Sequence, residues 1–141
     1  MSKLIVILLA AAALVGAGFL AFAAAGKPEG KVIAYYFHGT FRCYTCTTME
    51  KYSKEAIDAG FKDALASGKL EFKAVNVEGR GNEHFVNDYK IYTKTLILSL
   101  VKDGKEIKWK NLDKIWEYVR NKQKFSDYVT EEVGNFLKEA Q

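Results

Sequence analysis

The alternation of apolar and polar positions predicts four β-strands in the part of the chain that follows residue 30. Runs that favour strands occupy residues 31–37, 69–77, 95–101 and 106–109. From Val32 to Phe37 the first run is apolar throughout, as expected for a strand covered on both faces. Asp103-Gly104 between the last two runs is a strong hairpin signal. The sequence therefore predicts that the last two strands are antiparallel.

Apolar residues at helical spacing predict helices between and after these strands. The first helix begins at Cys43 and Cys46, ends near Gly60 and carries Met49, Tyr52, Ala56 and Ile57. Short helices are expected before Ser67-Gly68 and around residues 85–89. Because a strand, a helix and a second strand favour a right-handed parallel unit, the predicted fold class is α/β. We expect a central mixed sheet flanked by helices.

Two apolar stripes near the C-terminus are interpreted as core-facing sides of helices. Asn111 is expected to cap the first of these helices, whose stripe consists of Leu112, Ile115, Trp116 and Val119. The second stripe consists of Phe125, Tyr128, Val129, Val133, Phe136 and Leu137. The second stripe predicts an additional C-terminal helix.

An apolar run at residues 4–25, preceded by Lys3, is interpreted as a targeting segment. Small residues in Ala21-Phe22-Ala23 and Ala23-Ala24-Ala25 fit a signal-peptide cleavage site, whereas the length of the run also suits a membrane anchor. Residues 1–25 are thus a signal peptide or an N-terminal anchor, 26–30 a linker and 31–141 one folded domain. Either alternative predicts an exported domain, periplasmic or otherwise extracytoplasmic, and soluble or associated with a membrane through residues 4–25.

Charge and glycine patterns exclude two classes of function. The net charge is only +4 over 141 residues, and the lysines are scattered among acidic residues. This distribution does not favour nucleic acid as a partner. No G-x-G-x-x-G follows a predicted strand, so we predict no flavin or nicotinamide cofactor.

The two cysteines, Cys43 and Cys46, lie where the first strand passes into the first helix. At a helix N-terminus, unpaired backbone N–H groups and the macrodipole stabilise an anion. The leading thiol is therefore expected to ionise more readily than a free thiol, whose pKa is about 8.5. This arrangement favours dithiol chemistry, with a structural disulfide and one corner of a metal site as alternatives.

This strand, C-x-x-C and helix resemble the active site of the thioredoxin-like superfamily, and the resemblance covers about residues 31–122. It implies that Cys43 is an exposed attacking thiol and Cys46 a buried resolving thiol. The pair would cycle between dithiol and disulfide, and the partner would be a protein with a disulfide or dithiol. Proximity to the helix start predicts the same roles. His38 and Arg42 are expected to favour the thiolate electrostatically, although a backbone-bonded histidine and a solvated surface arginine are alternatives.

A narrower resemblance connects the stretches His38–Cys46 and Trp109–Trp116 with a small family of exported thioredoxin-like proteins. That family carries the label nitrophenyl compound nitroreductase subunit, ArsF type. The resemblance implies redox work beside a partner, as a subunit of a larger redox system.

Two positions depart from the superfamily pattern. The single proline, Pro28, lies in the linker, so the slot at residues 93–95, where the superfamily has a cis-proline, is expected to be trans. No carboxylate occurs between Lys31 and Cys46, although the superfamily buries an acid near the position of Tyr35 or Tyr36. Removal of the Cys46 proton would then need another base or water.

The alternative function is a binding site for a soft ion, Cu(I) or a trivalent metalloid. Cys43 and Cys46 supply two soft thiolates, Met49 lies one turn further along the helix, and His38 or His84 could complete the site. Methionine at this spacing is more often a core residue.

The aromatic residues beside the first cysteine allow two interpretations. Phe41 and Tyr44 either form an apolar rim for a partner peptide or pack on the domain itself.

Overall fold

The computed structural model describes residues 29–141, which contain four strands and five helices. The strands are β1 (Lys31–His38), β2 (Leu70–Asn76), β3 (Thr95–Lys102) and β4 (Lys105–Asn111). The helices are α1 (Tyr44–Gly60), α2 (Lys62–Ala66), α3 (His84–Asp88), α4 (Ile115–Tyr118) and α5 (Lys122–Ala140). All four predicted strands are confirmed.

The strands form one sheet in the order β2-β1-β3-β4. β1 is parallel to β2, with Val32 opposite Leu70, and antiparallel to β3, with Val32 opposite Leu100. β4 then pairs antiparallel with β3. This mixed sheet, with a helix between its two parallel strands and a further helix at the C-terminus, confirms the predicted thioredoxin-like α/β fold.

The main core lies between the sheet and the helices α1 and α5. Its largest fully buried side chains include Tyr36, Met49, Ile57, Leu98, Phe125 and Phe136. Each large apolar side chain buried in this way contributes about 1.5–3 kcal/mol relative to an exposed one. In the predicted stripe of α5, Phe125, Val129, Val133 and Phe136 are buried and Tyr128 and Leu137 are partly buried against the core. That stripe is confirmed.

A smaller cluster covers the opposite face near the C-terminal end of β1. Phe37, Tyr89 and Ile97 are buried there, and Phe85 of α3 packs on them with its ring 5.1 Å from that of Phe37. Both faces of β1 are thus covered where the strand ends, as its apolar sequence predicts.

The β3–β4 connection is the predicted hairpin. Asp103 and Gly104 have φ values of 51° and 73°, the left-handed conformation that a two-residue hairpin turn of type I′ requires at both positions. The pairing register shifts at Leu100/Val101, because Leu100 lies opposite Lys108 and Val101 lies opposite Glu106. The shift changes the side of the sheet to which β4 residues point between these two pairs. As a result Glu106 accepts hydrogen bonds from the hydroxyls of Tyr89 and Ser99.

The predicted helix after β4 is wrong in two respects. Asn111 does not cap it, because pairing with β3 continues past this residue and the Leu112 N–H donates to Leu96 O over 2.8 Å. The helix α4 is only four residues long, and Trp116 is 39% exposed, while Leu112 and Ile115 are buried. The Trp116 indole N–H donates to Lys94 O over 2.9 Å, so the ring lies at the edge of the domain.

The predicted signal peptide or anchor at residues 1–25 lies outside the described residues. Across residues 29–141, none of the helices combines the length and the apolarity that crossing a membrane requires.

Candidate functional site

The site lies at the C-terminal end of β1, where a short loop leads into α1. Cys43 is the N-cap of α1, with extended φ and ψ values of −82° and 161°. Its Sγ accepts a hydrogen bond from the Cys46 N–H over 3.1 Å, and the Thr47 N–H donates to Cys43 O over 3.0 Å. Serine and asparagine cap helices with oxygen in this way; here sulfur does so. The Cys43 sulfur therefore lies at the N-terminus of a 17-residue helix and binds one of its N-terminal N–H groups.

Cys43 and Cys46 are joined in a disulfide, with their Cα atoms 5.0 Å apart. Cys43 is partly exposed, whereas Cys46 is 1% exposed. Cys43 is therefore the more exposed of the two residues, which is the asymmetry that both the helix position and the superfamily resemblance predict.

Arg42 and His38 both lie at the site and bond to each other. The Arg42 Nη1–H donates to His38 Nε2 over 3.2 Å, and the His38 Nδ1–H donates to Gly39 O over 2.9 Å, which assigns the proton of the neutral ring to Nδ1. Arg42 Nη2 pairs with the carboxylate of Glu50 on α1. The charge of Arg42 is thus shared with a carboxylate, a partner that sequence reasoning missed.

Tyr36 occupies the region beneath Cys46. Its buried hydroxyl donates to Cys46 O over 2.7 Å. Burial, with the nearby charge of Glu50 second, raises the pKa of Tyr36 above its ordinary value of 10.0. Tyr36 is therefore a neutral hydrogen-bond donor here, and it anchors the first turn of α1 to the strand.

The loop before β3 supports the other side of the site. No cis peptide bond occurs in residues 29–141, which confirms the predicted trans geometry at residues 93–95. The Thr95 hydroxyl donates to Asn111 Oδ1, and Trp116 donates to the carbonyl of Lys94. Of two residues predicted to belong to a helix, Asn111 therefore binds the first residue of β3 and Trp116 binds the loop before it.

The loop before Cys43 is hydrogen-bonded to the end of β2 and to the loop that follows it. The Thr40 N–H donates to Glu78 Oε2 over 2.8 Å, and Asn76 Nδ2 donates to Thr40 Oγ1 over 3.1 Å. The first of these bonds is the main cause that lowers the pKa of Glu78 below its ordinary value of 4.5. The carboxylate form of Glu78 therefore stabilises the loop in front of the disulfide.

Replacing Glu78 with glutamine is expected to lower the melting temperature at about pH 7, and the difference from wild type should vanish as the pH falls. Because the folded-state pKa of Glu78 is depressed, its contribution is present above the unfolded pKa and lost as the pH falls through the folded one. Thermal melts between about pH 7 and pH 2 measure this. Glu131→Gln, an exposed change on α5, is the control. A difference that stays constant to the lowest pH contradicts the assignment.

Two exposed aromatic residues, called the rim here, flank Cys43 in the chain. Phe41 is 76% and Tyr44 is 86% exposed, so neither packs on the domain. Tyr44 and Trp116 also line an open groove of about 590 Å³ beside the start of α1, with Tyr52, Val119 and Arg120. The rim presents apolar surface next to the accessible sulfur.

The remaining candidate ligands for a soft ion are buried in the core or engaged with other side chains. Met49 is fully buried in the main core. His84, on α3, pairs with Asp88 over 2.7 Å. Within residues 29–141, no group of three or more His, Cys, Asp or Glu side chains has the arrangement of a metal site.

Comparisons with known proteins give only distant structural similarities. No protein-family model matches the sequence, and no curated protein matches it. The Fasciola hepatica thioredoxin is 21% identical and has a TM-score of 0.40, with 73% of this chain and 82% of that chain covered. Thioredoxin-2, described as a component of malaria parasite protein secretion machinery, is 13% identical with a TM-score of 0.39, covering 67% and 85%. A malarial protein is 20% identical with a TM-score of 0.38, covering 57% and 80%.

These similarities carry no argument about function. The thioredoxin-like fold is assigned here from the strand order, the strand directions and the disulfide at the start of α1. None of the comparisons supports the narrower resemblance to the ArsF-type nitroreductase subunit.

Proposed function

We propose that this chain is a thiol–disulfide oxidoreductase or electron-relay protein that works through Cys43 and Cys46. The observation that carries the proposal is the asymmetry of the pair: Cys43 is partly exposed at the N-terminus of a long helix, and Cys46 is buried one turn further on. A purely structural disulfide needs neither the accessibility nor the helix N-terminus. Both features are what a reactive thiol needs.

The exchange proceeds in two steps in which electrons balance. The Cys43 thiolate attacks one sulfur of a partner disulfide, a Cys43–partner bond forms, and the other partner sulfur leaves as a thiolate. Cys46 then loses its proton and attacks Cys43 Sγ, so the intramolecular disulfide forms and the partner leaves fully reduced. The partner gains two electrons and the Cys43–Cys46 pair loses two. The reverse sequence oxidises a partner dithiol.

The partner is proposed to be a protein that presents apolar surface beside its cysteines. Exposed Phe41 and Tyr44 flank the accessible sulfur and would be covered in such a complex. A role as subunit of a larger redox system, as the ArsF-type resemblance implies, belongs to this proposal. It is supported by the two sequence stretches that carry that resemblance.

The proposed location is extracytoplasmic, with residues 4–25 as signal peptide or anchor. Gly30, where the chain enters the domain, bonds through its N–H to Ala140 O over 2.8 Å, at the start of β1. The disulfide lies beyond the other end of this eight-residue strand, about 25 Å away at the usual rise per residue. An anchored chain would therefore present the disulfide away from the membrane.

Trapping a partner tests the proposal. In Cys46→Ala, Cys43 attacks but nothing resolves the bond, so a mixed disulfide with the natural partner should accumulate in host extract and be identifiable by mass spectrometry. Cys43→Ala, in which the remaining thiol is buried, is the matched control and should trap much less. No trapped partner, together with stoichiometric Cu(I) or arsenite binding by the reduced protein, would replace the proposal with the soft-ion alternative.

A further inference from the structure

The proposed exchange requires a group that takes the proton from Cys46. This inference therefore rests on the proposed function. The thiolate is the nucleophile in thiol–disulfide exchange, and burial disfavours the charged form. Cys46 is 1% exposed, and β1 and the loop before Cys43 contain no carboxylate. Because so little of Cys46 is exposed to water, a nearby side chain is the expected acceptor of this proton.

Glu50 is the acidic side chain nearest to Cys46 along the helix face. The two residues are four positions apart on α1, a spacing that places Cβ atoms about 5–6 Å apart on the same side of a helix. The Glu50 side chain is 27% exposed, so it lies at the boundary between the site and solvent. A proton accepted there can pass to water.

The Glu50 carboxylate is paired with the loop that precedes Cys43. Arg42 pairs with it from the loop before Cys43 and is itself bonded to His38. Tyr36 lies on the strand below, close enough for the charge of Glu50 to be the second cause, after burial, that raises the Tyr36 pKa. On α1 itself, Lys54 is engaged with Asp58.

The other titratable side chains at the site are engaged in hydrogen bonds, and Glu78 accepts from the Thr40 N–H. Tyr36 is a donor to Cys46 O, and His38 Nε2 already accepts from Arg42. On β2, the residues in register with Ala34, Tyr36 and His38 are Phe72, Ala74 and Asn76, none of which titrates.

We infer that Glu50 is the general base that accepts the Cys46 proton during resolution, and that Arg42 and His38 are positioning residues for its carboxylate. The proton moves from Cys46 Sγ to a Glu50 oxygen. The resulting thiolate attacks Cys43 Sγ, the Cys43–Cys46 bond forms, and the bond from Cys43 to the partner sulfur breaks. The partner leaves as a thiolate, and Glu50 returns its proton to solvent.

The two steps can be observed separately with dithiobis(nitrobenzoate) as the disulfide. Reduced full-length protein, mixed with one equivalent in stopped flow, should release two equivalents of coloured thionitrobenzoate in two phases. The first phase reports attack by Cys43, and the second reports resolution by Cys46. Both phases are followed across the neutral pH range in wild type, Glu50→Gln and Glu55→Gln. Glu55 is the matched control, because it is another α1 carboxylate paired with a cation, Lys122.

Glu50→Gln should slow the second phase on the order of 100-fold at about pH 7, the lower end of what a positioned base contributes. The first phase should not slow, because Cys43 attacks without Glu50. The gap in the second phase should narrow as the pH rises, since Cys46 then ionises without assistance. Glu55→Gln should match wild type in both phases.

Failure of this inference differs from failure of the proposed function. A second phase in Glu50→Gln that stays within about twofold of wild type at every pH overturns the role of Glu50. Release of only one equivalent by wild type overturns the dithiol cycle itself. If Glu50→Gln is unfolded by circular dichroism, Glu50→Asp decides: its shorter side chain should slow only the second phase, and an unchanged second phase overturns the inference.

Discussion

Cys43→Ser is expected to slow thiol–disulfide exchange with glutathione by about 100-fold or more. The remaining thiol, Cys46, is 1% exposed, so it reacts only when the start of α1 opens. Local opening that costs about 3 kcal/mol reduces the reactive population by about two decades, since 1.4 kcal/mol corresponds to tenfold. The measurement is the rate at which the reduced variant forms a mixed disulfide with glutathione disulfide, followed by intact mass.

Cys46→Ser is the matched control for this experiment. It keeps the accessible thiol, so it should form the mixed disulfide at close to the wild-type rate and then stop, because the resolving thiol is missing. Equal rates for the two single variants would contradict the assignment of Cys43 as the attacking thiol.

Phe125→Ala is expected to lower the free energy of unfolding by about 3–5 kcal/mol, the usual range for a buried phenylalanine. Phe125 is fully buried between α5 and the sheet, and its ring packs edge-on against Tyr52 of α1 at 5.6 Å. The substitution leaves a cavity at the place where the two long helices meet. Chemical denaturation of the oxidised protein measures the loss.

Phe41→Ala is the control, because it removes the same ring from a position that is 76% exposed. Its effect on stability should stay within about 0.5 kcal/mol. A loss for Phe125→Ala that is no larger than this would mean that Phe125 is not part of the folded core.

The strands and the longest helices could be predicted because their signals are local. A continuous apolar run marks β1, Asp103-Gly104 marks the hairpin, and the stripe from Phe125 to Leu137 marks α5. In each case a periodic pattern within one segment already indicates which side is buried. Such patterns need no knowledge of the rest of the chain.

The predictions for Asn111 and Trp116 are wrong because Asn111 pairs with β3 and Trp116 binds the loop before it. Asparagine after a strand is a reasonable helix cap, but in the fold Leu112 continues the pairing with Leu96. Trp116 fits the helical stripe by spacing, yet it finds a hydrogen-bond acceptor at Lys94, 22 residues earlier in the chain. A local pattern contains no information about such distant partners.

The cysteine pair and its asymmetry can be predicted from the sequence, but the groups that surround the pair cannot. Helix position alone indicates which thiol is nearer the unpaired N–H groups. By contrast, Tyr36 reaches Cys46 across 10 positions and Thr40 reaches Glu78 across 38. These contacts form only once β1, β2 and α1 are packed.

By itself, the sequence determined the α/β class, the order of the strands along the chain and the place of the dithiol at a helix N-terminus, because periodicity and the spacing of two cysteines are properties of single segments. Tertiary structure decided that Arg42 pairs with Glu50 instead of standing alone beside Cys43, and that Met49 lies in the core. The physical reason is that charge pairing and burial depend on which surfaces meet, and the packing of α1 against β1 and α5 brings those surfaces together.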